Sequence, residues 1–285
     1  MNAPFDGPIT QDDIVARIRA HPLGDEPAVQ RTAFDRLMRG ASSAAPQPIE
    51  RADAQFGAGT HGTIVYLHGG GYVFGSPQTH ARIGQGLAER TGLRVLLPAY
   101  PLAPESVWPA QLDAVVAVVR GLSGPVVLAG DSAGGHLALV TALALSRVGR
   151  PVAGLLLFSP NTDRSGLSRT RLENDPLDPM VDEAGDRRLA RQCFGDLPVD
   201  HPQVSPVLDE LRRLPPIYVE VGSREVLLGD SLVLAERARK AGVDVTLHIE
   251  PHGLHMGPIW APWWPIATAS LDRAGAFASA VVDGR

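Results

Sequence analysis

The chain has 285 residues, 44% of them hydrophobic, which is enough for one large α/β domain with a substantial core. Its formal net charge is −5, from 26 basic and 31 acidic residues with no basic run, so nucleic-acid binding has no electrostatic support. The lone Cys193 excludes an internal disulfide and a cysteine-cluster metal site and points to a reducing compartment. Residues 1–11 carry no leader-like pattern, and no apolar run reaches the length of a membrane span. The expectation is a cytoplasmic protein with no membrane or nucleic-acid partner, no metal and no cofactor.

Residues 1–45 read as an appendage to the core. Helical spacing runs over Gln11–Ala20 (Ile14, Val15, Ile18) and over 26–39 (Val29, Phe34, Leu37, Met38), parted by the breaker His21-Pro22-Leu23-Gly24. Two short amphipathic helices here form either a lid over a pocket or a cover for a sheet face, and composition leaves both open. A small, proline-containing linker at 40–48 leads to an edge strand near 49–55.

Thr63–Leu67 has almost no polar content, as expected for a strand buried on both faces. It runs into His68-Gly69-Gly70-Gly71-Tyr72, where consecutive glycines leave backbone N–H groups uncovered, as an oxyanion hole requires. A flexible loop is the plainer reading. His68, placed before the glycines, is expected to orient the loop through hydrogen bonds.

The next apolar run, 126–129, meets Gly130-Asp131-Ser132-Ala133-Gly134 and then a helix over 133–146 dense in small apolar residues. Gly-x-Ser-x-Gly on a strand-to-helix turn is the nucleophile-elbow pattern, and Gly130 and Gly134 must lack side chains for the backbone to pass. The N–H of Ala133 then joins those of Gly70 and Gly71 as oxyanion donors, with Gly69 less favoured. Taken alone, the motif also fits a glycine-rich turn with no chemistry. Asp131 reads as a structural hydrogen-bonding residue.

Further strands are expected at 152–158, 216–221 and 243–249, and helices at 230–241 and 266–281. The stretch 163–202 is polar and broken, helical only around 182–194, and reads as an inserted lid. The predicted fold is therefore α/β, a mostly parallel sheet flanked by helices, with cap helices at 1–45 and a catalytic domain at 46–285.

A serine hydroxyl is a weak nucleophile and needs a base held by an acid, in the chain order Ser, acid, His for this kind of elbow. The loop after the last strand offers His252 and His255, and the turn after 216–221 offers Glu225 and Asp230. Asp230 is read as an N-cap for the helix that follows. Tyr72 and Phe74, just past the glycines, are substrate-binding candidates, with core packing as the other reading.

In combination these motifs resemble the hormone-sensitive-lipase-like branch of the α/β-hydrolase esterases. Ala99-Tyr100-Pro101-Leu102-Ala103-Pro104-Glu105 is similar to that branch's YRLAPE signature, with Pro101 where arginine is usual. Phe158-Ser159-Pro160-Asn161-Thr162-Asp163 and Glu173-Asn174-Asp175-Pro176 also match, and the likeness runs from about Gly62 to the carboxyl terminus. The resemblance implies an α/β-hydrolase fold and a serine carboxylesterase. It places the base at His255, which closes the family's turn, rather than His252. Aligned with the family's DPLxD, the acid falls on Glu225, where aspartate is usual.

The implied activity is hydrolysis of short-acyl esters of small molecules by Ser132, His255 and Glu225, the lids being short. A lactone, amide or carbamate hydrolase would use the same residues. A non-catalytic ligand-binding module of the same fold is the alternative of another class, and the presence of both Ser132 and His255 speaks against it. Pairing of two chains into a homodimer along the last strand is a further implication of the family.

Overall fold

The computed structural model describes residues 4–39 and 52–284. The linker read at 40–48 and the start of the strand read near 49–55 lie outside them. Among the described residues, seven strands form one sheet: β1 (Ala54–Phe56), β2 (Thr63–Leu67), β3 (Arg94–Leu97), β4 (Val126–Asp131), β5 (Gly154–Phe158), β6 (Ile217–Gly222) and β7 (Val245–Glu250). Their order is β1-β3-β2-β4-β5-β6-β7. Only β1 runs antiparallel, against β3.

Every residue of β2, β4, β5 and β6 is buried, the pattern of parallel strands covered on both faces. The helices that cover them are α3 (Ala81–Thr91), α4 (Ala110–Arg120), α5 (Ala133–Arg147), α8 (Leu228–Lys240) and α9 (Pro265–Val282). In α5 small residues let the helix sit close beneath the sheet, and almost all of its residues are buried.

Helix α3 and strand β3 are among the elements that the sequence reading did not place. In α3 the glycines Gly84 and Gly86 lower helix propensity; a Cβ at Gly84 would lie 2.6 Å from Leu97 and one at Gly86 2.8 Å from Leu271, so close packing explains them. Strand β3 is four residues long, begins with Arg94 and leaves alternate residues only partly buried.

The amino-terminal helices α1 (Gln11–Ala20) and α2 (Pro27–Met38) form where the periodicity predicts. A reciprocal Thr10–Asp13 capping box starts α1. Ile14, Phe34 and Leu37 are fully buried in the same hydrophobic core as the sheet, and the Phe34 and Phe74 rings lie 5.1 Å apart. Arg31 binds the carbonyls of Val73 and Ala103 and pairs with Glu105. The remaining helices, α6 (Thr170–Glu173) and α7 (Glu183–Phe194), lie in the segment between β5 and β6.

The register carries the functional loops to one edge of the sheet. Leu67 pairs with Gly130, Asp131 with Phe158, and Gly222 with Glu250, so the loops after β2, β4, β5, β6 and β7 leave from the same carboxyl end. That crevice is where parallel α/β sheets place their ligands.

Candidate active site

Ser132 sits between β4 and α5 at φ 51°, ψ −120°, a strained conformation for a residue with a side chain. It is held by its own backbone: its N–H donates to Phe158 O at 3.0 Å, and its carbonyl accepts from His136 and Asn161 at 3.0 and 3.1 Å. A Cβ at Gly134 would fall 2.0 Å from the Leu67 carbonyl oxygen, and one at Gly130 2.5 Å from Gly134. Neither position tolerates a side chain. The turn is the elbow that the Gly-x-Ser-x-Gly spacing predicts.

Gly70 and Gly71 adopt φ 115° and 59° in the loop after β2. The Gly70 carbonyl accepts from Val73 and Phe74, so the N–H of Gly71, anti to it across the same planar peptide, points the opposite way. Among the described residues no protein acceptor takes the N–H of Gly70 or Gly71, and Ala133 N–H is one of the unpaired donors of the α5 amino terminus. Gly69 N–H is already committed to Asp131 Oδ1 at 3.1 Å. Asp131 also accepts from Tyr66 at 2.7 Å and lies 3.4 Å from His80. Burial opposes its ionisation, but His80 and Tyr66 outweigh burial and hold it below the usual carboxylate range. His68 orients the loop through Gly69 O at 2.8 Å and stacks on Tyr100.

Opposite these donors, Glu225 Oε2 receives His255 Nδ1 at 2.9 Å, both side chains being buried. The other carboxylate oxygen accepts from Ser159 Oγ at 2.9 Å and from Gly222 N. Burial disfavours the charged His255 ring; the Glu225 hydrogen bond and charge, with Asp178 and Asp131 behind them, exceed that cost and raise it above the ordinary histidine value. Ser132 and His255 line one cavity, with no hydrogen bond joining them in this conformation, a looseness common at such sites. His252 is exposed and lies outside that lining.

The chain matches the family model described as alpha/beta hydrolase fold over residues 64–257. The chain belongs to this hydrolase family. It is 36% identical to an acetyl-hydrolase of Streptomyces hygroscopicus over 75% of this chain and 74% of that one. To an esterase of Acinetobacter venetianus it is 33% identical, over 76% and 75%. It superposes with TM-score 0.85 and 29% identity on the crystal structure of an esterase from the bacterial hormone-sensitive lipase family, covering 95% of this chain and 98% of that one. Like these relatives, it is a carboxylic ester hydrolase.

The hydrolase cavity holds about 120 Å³, roughly ten times the room one water requires. Its floor is Ser132, His255 and the Gly70–Gly71 loop, and Phe74 also lines it. Its roof comes from two directions: Leu23, Gly24 and Gln30 from the amino-terminal segment, and Met180, Asp182 and Leu189 from the insertion. Tyr72 does not line it. Fully buried, it reaches His136 Nδ1 at 2.5 Å and packs edge-on against Trp108 and Phe194. Burial pushes His136 down to about 3, so the ring is neutral and shares a hydrogen bond with the Tyr72 hydroxyl. The core-packing reading of Tyr72 is the one realised.

Asp230 is also placed differently from expectation. Helix α8 begins two residues before it, and its buried carboxylate does not cap the helix. It accepts instead from the backbone N–H of Thr162 and Asp163, both at 2.8 Å, and from the Arg171 guanidinium. Arg171 pairs as well with Asp186 and Glu183 and donates to Asn161, a buried ionic centre that pins the insertion to the hydrolase body. Sequence reading quoted Ser159 and Asn161 in a motif but assigned them no role, and it passed over Arg171 and Asp178.

Asp178, Glu225 and His255 have ligand-type atoms within 4.8 Å of one another, a spacing a divalent cation could use. Their atoms are already engaged: the ring with Glu225, and the Asp178 carboxylate with the N–H groups of Met180, Val181 and Val226. The cluster is a hydrogen-bonded acid–base array.

Proposed function

We propose that the chain is a serine carboxylesterase for short-acyl esters of small molecules, with Ser132 as nucleophile, His255 as base and Glu225 as acid. The observation that carries this reading is the buried 2.9 Å Glu225–His255 bond beside the cavity that Ser132 lines. Ser132 Oγ attacks the ester carbonyl as His255 Nε2 takes its proton, and Glu225 stabilises the imidazolium. The N–H groups of Gly70, Gly71 and Ala133 hold the tetrahedral oxyanion. The bond to the alcohol oxygen breaks and that oxygen leaves with the His255 proton. Water, deprotonated by the same ring, then releases the acid and restores Ser132.

The small cavity and its roofing support the short-acyl preference, and the acetyl-hydrolase relative agrees with it. Within this reading, the amino-terminal helices and the 163–202 insertion act together as the cap. The half-exposed edge strand β7 is the surface along which two chains pair into a homodimer. Ser132→Ala is expected to lower kcat for p-nitrophenyl butyrate by on the order of 10⁶-fold. Full activity in that variant would remove the assignment. A p-nitrophenyl ester series of rising chain length, run beside a lactone and an anilide, fixes the substrate class.

A further inference from the structure

We propose that Asp178 is a positioning residue for this reaction: its carboxylate ties the cap to the acid loop and sets a second negative charge behind His255. The inference rests on the triad reading above and concerns a residue that reading does not use.

The geometry is that of a staple. Asp178 Oδ1 accepts from the N–H groups of Met180 and Val181 at 2.9 and 3.1 Å, and both residues line the substrate cavity. Asp178 Oδ2 accepts at 3.0 Å from the N–H of Val226, the residue that follows the acid. One side chain thus joins the cavity roof to the acid loop.

Neighbouring bonds tighten the same seam. Asn174 Nδ2 donates to Glu225 O at 2.9 Å, Thr170 Oγ1 donates to Val226 O at 2.9 Å, and Gly229 N donates to Thr170 Oγ1 at 2.7 Å. Those contacts need only neutral groups. Three N–H donors converging on Asp178 favour an ionised acceptor.

The charge has a second use. Asp178 and Glu225 both lie within 4.8 Å of a His255 ring nitrogen, so a proton on the ring is stabilised from two sides. Burial raises Asp178 and a charged His255 opposes that rise, so the carboxylate is best kept ionised when the ring carries its proton.

Other charged groups face this cluster. On its outer side, a cleft of about 190 Å³ carries Asp12 and Arg19 of α1 together with Arg224. On the cavity side stand Asp182, Asp186 and Arg188, and Asp131 acts on the ring from beneath the nucleophile. All seven stay in place when Asp178 alone is neutralised, so the change isolates its charge.

The test is the pH dependence of kcat/KM for p-nitrophenyl butyrate in Asp178→Asn, with the melting temperature measured in parallel. Removing the charge makes the imidazolium less favourable, so the acid limb is expected to move to lower pH by roughly half a unit to one unit. An unshifted limb in folded protein overturns the proposal. Where the amide crowds Val226 N–H and prevents folding, Asp178→Ser, which keeps an acceptor without the charge, carries the same measurement. Failure of both variants to fold assigns Asp178 to the scaffold alone and also overturns it. Ser132→Ala is run alongside: activity retained there removes the triad and this inference with it. Activity lost there, with an unshifted limb in Asp178→Asn, removes only the inference.

Discussion

The two sides of the candidate site are made of different materials. The side proposed to hold the oxyanion is main chain: glycines in positive-φ conformations and the first turn of α5, fixed by Asp131 and by close backbone packing. The acid–base side is side chain: Glu225 and His255, seated on loops that the insertion grips through Asp178, Thr170 and Asn174. A wall of backbone amides depends on steric fit, and its N–H donors do not themselves titrate. A wall of side-chain charges depends on burial and partner geometry, so it is sensitive to pH and to the cap.

Glu225→Gln breaks the charged wall most directly. It keeps the shape but removes the charge and disturbs the ring tautomer, and kcat is expected to fall by on the order of 10⁴-fold. Steady-state kinetics at the plateau pH checks this; a loss below tenfold would shift the acid role to another carboxylate. Next comes the ionic centre that holds the insertion. Arg171→Met leaves the buried Asp230 without its cation, while Asp186 and Glu183 keep Arg164 and Arg187, and a loss of about 3–5 kcal/mol in urea unfolding is expected. Activity should fall with the folded fraction, whereas the strained Ser132 turn, held by its own backbone bonds, keeps its geometry in the folded molecules.

The smallest effect belongs beside the oxyanion wall. Tyr72→Phe removes the buried bond to His136 and is expected to cost about 1–2 kcal/mol of stability, with kcat and acyl-chain preference unchanged. A changed chain-length profile would return Tyr72 to the cavity lining.

What was legible in the sequence follows the same division. Strands β2, β4, β5 and β6 stood out because burial on both faces demands unbroken apolar runs. The glycines at 70, 71, 130 and 134 were legible because a Cβ at each would clash, a local requirement written as residue type. Asp230 was misread because its partner Arg171 lies 59 residues away, and a helix-start aspartate looks the same whether it caps or pairs. Tyr72 was ambiguous because a glycine loop can aim the next aromatic ring inward or toward a ligand. Asp178 gave no signal, since its neighbours Glu225 and His255 meet it only through the fold.

The chain alone therefore determined the elbow, the glycine loop and the layered sheet, since each rests on short-range sterics or on hydrophobic period. Tertiary packing alone decided what lines the cavity and where Tyr72 and Asp230 point, and it set Glu225, the acid that the resemblance implies, against His255. The physical reason is that burial and charge pairing are set by distances between segments far apart in the chain, and residue identity does not encode those distances locally.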